Sequence, residues 1–143
     1  MPTPFELRLR PAVRERLDRL GHEFQADFLG RKATRAPESV EVLVCLARVL
    51  MRLGRHEEGL EVHERLVRLI PRNPIVHYNL ACSQALCERS EDALDSLRSA
   101  IHLGYDDVDY MRRDEDLVSL REDPAFEALA SAILLKSNET PSN

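Results

Sequence analysis

The sequence predicts an all-α chain: a short right-handed solenoid of two helical hairpins, with a capping helix before them and lid helices after them. Leu46 and Leu80, Ala47 and Ala81, Gly59 and Ala93, and Leu60 and Leu94 are all separated by the same interval, so small and large residues recur in step between Val40 and Tyr105. A period of about 34 residues marks a supersecondary unit used more than once, and neither unit could bury its apolar side alone. Through the same region apolar residues recur at spacings of three and four, the period of a helix. Gly54, the pair Asn73 and Pro74, and Gly104 then stand where helices should stop and start.

Residues 1–10 hold Pro2 and Pro4 and few apolar anchors, and are expected to be loose. Pro11 suits the first turn of a helix. Val13, Leu17, Leu20, Phe24 and Phe28 follow at helical spacing, giving one apolar stripe on a capping helix over 11–30. The two phenylalanines are expected to cover the open side of the first hairpin, because a bare solenoid end would expose core. Residues 38–53 form the next helix, apolar around most of its circumference and therefore buried from more than one side. Gly54 ends it, and 56–70 makes its partner, with Leu60, Leu66, Leu69 and Ile70 turned inward. Asn73 caps a helix opened by Pro74. Ser90 is expected to cap the following one, which Gly104 closes. Small residues at 47, 59, 81 and 93 allow close helix approach. Beyond Tyr105, Asp114 can cap a helix carrying Leu117 and Leu120, and Asp123 with Pro124 can start another carrying Phe126, Leu129 and Ile133. Polar residues 136–143 are expected to be disordered.

The residues of the first copy, Leu43, Leu46, Ala47, Leu50, Gly54, Gly59, His63, Leu66 and Pro71, resemble the tetratricopeptide repeat. The second copy supplies His77, Leu80, Ala81, Ala93, Leu97 and Ala100, and departs with Gln84 at a bulky site, Glu88 where glycine is usual and Tyr105 in place of proline. The ending also resembles a DxDLxxLRxDPxF segment that closes some bacterial repeat proteins. The resemblance implies a single domain over 1–143, with repeats at 38–71 and 74–105 and a lid at 106–135. Two repeats are fewer than the usual minimum of about three, so the flanking helices must complete the core.

The same resemblance implies an adaptor that holds a peptide or protein partner on the concave side of its first helices. Carried over residue by residue, that side presents Glu41, Val44, Arg48 and Arg52 from the first copy and Tyr78 and Cys82 from the second. Asn79 is placed to bond a peptide backbone. The alternative is a structural or self-associating module, a homo-oligomer, whose groove is filled by its own terminal helices. Lysine occurs only at Lys32 and Lys136, so the family's lysine-based carboxylate clamp has no counterpart.

Composition narrows the classes further. Residues 1–72 hold 14 Lys and Arg against 11 Asp and Glu, while 73–143 hold 6 against 14, a polarity that suits a charged protein partner better than nucleic acid. Apolar runs are short and the start lacks a signal-peptide core, so no membrane span and a cytoplasmic location are expected. Cys45, Cys82 and Cys87 show no ligand spacing and are expected to be free buried thiols. His63 and His77 sit at aromatic positions of the repeat and are expected to pack in the core. The acidic stretch 106–116 lacks a calcium-loop pattern and reads as caps and solvated charge, with a patch for a basic partner as the open alternative. With no GxSxG, HExxH or phosphate loop, neither catalysis nor a cofactor is expected.

Overall fold

The computed structural model of the protein describes residues 10–139, and every regular element among them is helical. The order is α1 (Pro11–Arg35), α2 (Val40–Arg52), α3 (His56–Leu69), α4 (Pro74–Leu86), α5 (Ser90–His102), α6 (Val108–Arg113), a 3₁₀ segment (Glu115–Leu120) and α7 (Pro124–Glu139). Helices pack pairwise along the chain: α1 on α2, α2 on α3, α3 on α4 and α4 on α5, with the 3₁₀ segment returning onto α4 and α7 onto α5 and α6. This is the helical-hairpin solenoid that the fixed offset requires. The expected loose segment 1–9 and the end of the tail, 140–143, lie outside the described residues. Lys136–Glu139, expected to be disordered, continue α7 as helix.

Local chemistry accounts for most helix ends. Ser39 and Asn73 accept hydrogen bonds from backbone N–H groups of the first turns of α2 and α4. Asp107, Asp114 and Asp123 do the same in the lid, and each such cap is worth about 1 kcal/mol. Ser90 is a correction. It is the first residue inside α5, Arg89 holds the cap position with no side-chain acceptor, and the Arg89 guanidinium instead pairs with Asp92 at 2.9 Å.

Glu88 adopts φ 60°, the left-handed conformation that Gly54 adopts one repeat earlier at φ 73°. A side chain there costs about 1–2 kcal/mol. Glycine adds about 0.5–1 kcal/mol of unfolded-state entropy in return. Glu88→Gly should therefore raise stability by somewhat under about 1 kcal/mol, read as a higher urea midpoint at unchanged slope; a lower midpoint would refute it.

Two apolar clusters fill the interior. The first lies among α1, α2, α3 and the start of α4, and includes Leu43, Leu46, Ala47, Leu50, Leu66 and Val76. The second joins α4, α5 and the lid through Leu97, Met111, Leu117, Leu120, Phe126 and Ile133. Ala47, Ala81 and Ala93 are buried at helix contacts, where a larger side chain would overpack by about 1–3 kcal/mol. Gly59 goes further: a Cβ added there would lie 2.6 Å from the Sδ of Met51. The second copy carries Ala85 and Ala93 at the positions of Met51 and Gly59, one smaller and one larger. Gln84, the polar residue at a bulky site, is buried and accepts a 2.7 Å hydrogen bond from Ser96 Oγ. The pair satisfies itself, which removes the cost of burying either group alone.

The capping helix departs most from expectation. It runs through Gly30 to Arg35 and packs through Ala26 and Ala33, with Leu29 half-buried. Val13, Leu17, Leu20, Phe24 and Phe28 face solvent, Phe24 being 72% exposed. At about 100° per residue the stripe and the buried alanines lie on opposite sides of α1. Periodicity finds a stripe but does not say which side of the helix the neighbour meets. Histidines and cysteines also sort unevenly: His63 and Cys82 are buried, whereas His77 and Cys87 are half-buried and Cys45 is exposed. His77 is half-buried because its Nε2 donates to the Pro71 carbonyl at 2.7 Å, at the edge of the α3–α4 turn.

Candidate functional site

A cleft of about 600 Å³ opens between α2, α4 and the start of the lid. Val44, Arg48 and Met51 project from α2, Ile75, Tyr78, Asn79 and Cys82 from α4, and Tyr105, Asp106, Asp107, Tyr110, Asp114 and Asp116 line the lid side. Of the residues singled out in the sequence, Val44, Arg48, Tyr78, Asn79 and Cys82 meet here. Glu41 and Arg52 do not line it: Glu41 accepts from Ser39 Oγ at the start of α2, and both are exposed.

Tyrosines organise the floor. Tyr78 and Tyr105 stack with ring centroids 4.4 Å apart and planes 9° from parallel, and Tyr110 tilts against Tyr78 at 6.0 Å. The Tyr78 hydroxyl donates to Asp114 Oδ2 at 2.7 Å, a charge-assisted bond that clasps the lid to α4. Cys82 Sγ donates more weakly to the same oxygen at 3.7 Å. Burial, then the nearby Cys82, then the bond to Asp114, push the Tyr78 phenol well above its usual range, so it stays a donor. Tyr105, 8% exposed, has a buried hydroxyl that meets no partner at full hydrogen-bond geometry; burial raises its pKa to about 12, partly countered by the adjacent Tyr78 hydroxyl. A buried polar atom left unpaired costs about 1–3 kcal/mol.

The acidic side is the other electrostatic feature. Desolvation, and then the neighbouring Asp114, raise the pKa of Asp116, partly countered by His56. Among the described residues no arginine or lysine forms an ion pair with either carboxylate. Arg121 is close, but its Nη2 donates to the Asp114 backbone carbonyl at 2.9 Å. Cys82 Sγ and one oxygen each of Asp114 and Asp116 lie within 4.8 Å of one another, near enough to share a cation. Burial and the Asp114 charge, in that order, raise the Cys82 pKa, keeping the sulfur a protonated thiol and a poor ligand at neutral pH.

Architecture and spacing now bear on the family. Residues 40–81 match the family model of the tetratricopeptide repeat. The matched stretch covers α2, α3 and the beginning of α4, the first repeat and the opening of the second. Over 79 residues the chain is 32% identical to a chloroplastic protein of Arabidopsis thaliana, a match that covers 53% of this chain and 24% of that protein. The chain thus spans about a quarter of that curated relative. Among solved structures it is similar to MamA 41-end from Desulfovibrio magneticus RS-1, with a TM-score of 0.66 and 16% identity over 88% of this chain and 72% of that one. MamA MSR-1 C2 is similar at a TM-score of 0.63 and 18% identity, covering 82% and 70% respectively. Likeness at that identity concerns the fold.

Within the tetratricopeptide repeat frame the cleft lies along the first helix of each hairpin, α2 and α4. The lid neither fills it nor leaves it untouched: it supplies the acidic wall and Tyr110, while Tyr105 stands at the end of the second repeat. Sequence reasoning reads Asp114 and Asp116 as caps and solvated charge and leaves a patch for a basic partner open. Asp114 does cap the 3₁₀ segment through Oδ1, while its Oδ2 receives Tyr78. Tyr105 figures in the sequence only as a replacement for proline and Tyr110 not at all, and no spacing rule links them to Tyr78. The signal that could have found them is compositional: the chain has three tyrosines and no tryptophan, and all three tyrosines line this cleft. No helix among the described residues is long and apolar enough to cross a membrane.

Proposed function

We propose that the chain is a protein-interaction adaptor whose cleft captures a peptide segment bearing a basic side chain, arginine above all. The tetratricopeptide repeat match supports a general protein-binding role. The chemistry of the segment is read from one observation: two carboxylates without an arginine or lysine partner stand on one wall of the cleft, beside the exposed ring of Tyr110. A guanidinium satisfies that need through paired N–H donors to Asp114 and Asp116. Tyr110, half of whose surface is exposed, offers a ring for the guanidinium plane. On the opposite wall Arg48 and Asn79 supply donors and an acceptor for the rest of the backbone.

The test uses octapeptides that differ only at a central residue, arginine, lysine, citrulline or glutamate, with the flanks randomised. Because every tyrosine lies at the cleft and tryptophan is absent, intrinsic tyrosine emission reports binding locally. The arginine set should bind and perturb that emission, and citrulline, which keeps the shape without the charge, should bind at least about tenfold more weakly. Asp116→Asn should produce a similar loss with the arginine set. Equal binding of the citrulline or glutamate peptides would overturn the basic-partner reading, and absence of binding by every set would overturn the cleft.

A further inference from the structure

We infer that α1 pairs with the α1 of a second copy of this chain, antiparallel, through the stripe Val13, Leu17, Leu20, Phe24 and Phe28. None of residues 11–25 is buried. A helical stretch of that length is marginal in water without a packed side. Five large apolar residues aligned on it, each 44–72% exposed, form a contiguous patch of the kind that marks an interaction surface.

The repeat register shows why the surface is open. Shifted back by one repeat, α3 (His56–Leu69) falls on 22–35, the second half of α1. Within its hairpin α3 turns Gly59 onto Met51 and Leu50 of α2, and turns His63 toward Ser83 of α4. The α1 equivalent of His63 is Leu29, which packs toward the core with α2. The equivalent of Gly59 is Gln25, which is exposed, as are the adjoining stripe residues Phe24 and Phe28. Among the described residues no helix covers that side, and a helix supplied in trans can occupy the place.

Charge placement selects the occupant and its direction. At about 100° per residue, Arg16, Glu23 and Asp27 share one flank of the stripe. Within their own chain Glu23 pairs loosely with Arg19 and Arg55, both at 3.8 Å, and Asp27 with Arg31 at 3.6 Å, so Asp27 is the carboxylate with more room for a guanidinium from another copy. A two-fold axis beside Leu20 sets Val13 against Phe28, Leu17 against Phe24, and Arg16 between Glu23 and Asp27 of the other copy, with each pairing made twice. In a parallel pair each flank would face the opposite flank of the other helix, and Arg16 would meet the level of Arg14 instead of Glu23 and Asp27. The antiparallel arrangement also opposes the helix dipoles favourably. It is an isologous contact, which closes as a dimer rather than propagating. The pairing is independent of what the cleft binds.

Sedimentation equilibrium of the full chain at tens of micromolar should give a dimer, and Leu17→Glu with Phe24→Glu should raise the dissociation constant by at least about 100-fold. Because both positions are exposed, circular dichroism of the variant should match wild type. In a Cys45→Ser, Cys87→Ser background, Leu20→Cys should form a disulfide-linked dimer on mild oxidation, since the axis brings Leu20 beside its own copy; Val13→Cys should not. A monomeric wild type, a dimer that survives Leu17→Glu with Phe24→Glu, or Val13→Cys crosslinking as readily as Leu20→Cys would each overturn the pairing.

Discussion

Acidification from pH 7 to pH 4 is expected to remove about 3 kcal/mol of stability through His63 alone. This imidazole is buried beside Ser83, sharing a 2.6 Å hydrogen bond between Nδ1 and Oγ. Burial lowers its pKa from 6.5 to about 4, because the charged form would lose its hydration in an apolar surround. The unfolded chain takes up a proton as pH falls through 6.5 while the folded chain does not, so the unfolded state binds more protons in that window. Stability is therefore full above pH 6.5, declines by about 1.4 kcal/mol per pH unit down to about 4, and loses nothing further to this group below it. Urea unfolding at intervals between pH 7 and 5, above the range where most carboxylates titrate, isolates the effect. The variant His63→Leu with Ser83→Ala removes both polar partners at once, a change that is nearly neutral when shapes are kept. It should flatten the slope in this window, and an undiminished slope would exclude His63 as its source.

Leu97 occupies the place of His63 one repeat later, and is fully buried with the lid residues Leu117 and Leu120 in one cluster. Leu97→Ala should cost about 2–5 kcal/mol, the lost transfer energy plus the void left behind. Domains of this size are held by about 5–15 kcal/mol in all, so the urea midpoint should drop markedly. Tyrosine emission should report the same transition as circular dichroism if the lid and second hairpin unfold together. A loss below about 1 kcal/mol would mean that the site collapses around the missing atoms and that this cluster is not a rigid core.

Much of the architecture was legible because its causes are local. Asn73 before Pro74, Asp114 before a short apolar pair and Asp123 before Pro124 act within one turn, and the structure uses all three as caps. The repeat offset is likewise visible without coordinates, since packing small against large must recur wherever the hairpin recurs. Ser90 misled because a serine followed by Glu91 and Asp92 satisfies the same local rule one residue too late. The stripe on α1 misled for a different reason. Spacing reports that apolar residues share a side but not whether a neighbour lies there, and α2 meets the alanines instead.

The cleft was half legible. Residues on α2 and α4 could be placed by the repeat pattern, but the acidic wall comes from a segment outside the repeats. Tyr78 and Asp114 are separated by 36 residues and two intervening helices, α5 and α6, and only the return of the lid onto α4 makes them partners. Asp114 carried a complete local explanation as a cap, which hid its second oxygen.

Met51 and Gly59 make the two hairpins unequal in a way that outlasts their shared pattern. Grafting the second helix of the later unit onto the first helix of the earlier one would drive a methyl group into sulfur at 2.6 Å, whereas the reciprocal graft would leave Ala85 facing empty space. A methyl group at 59 requires the flexible Met51 side chain to shift, and an alanine at 51 leaves a gap beside Gly59, so each choice is best matched by its companion. Shuffled or averaged versions of these units should therefore be built by exchanging both residues as a linked pair.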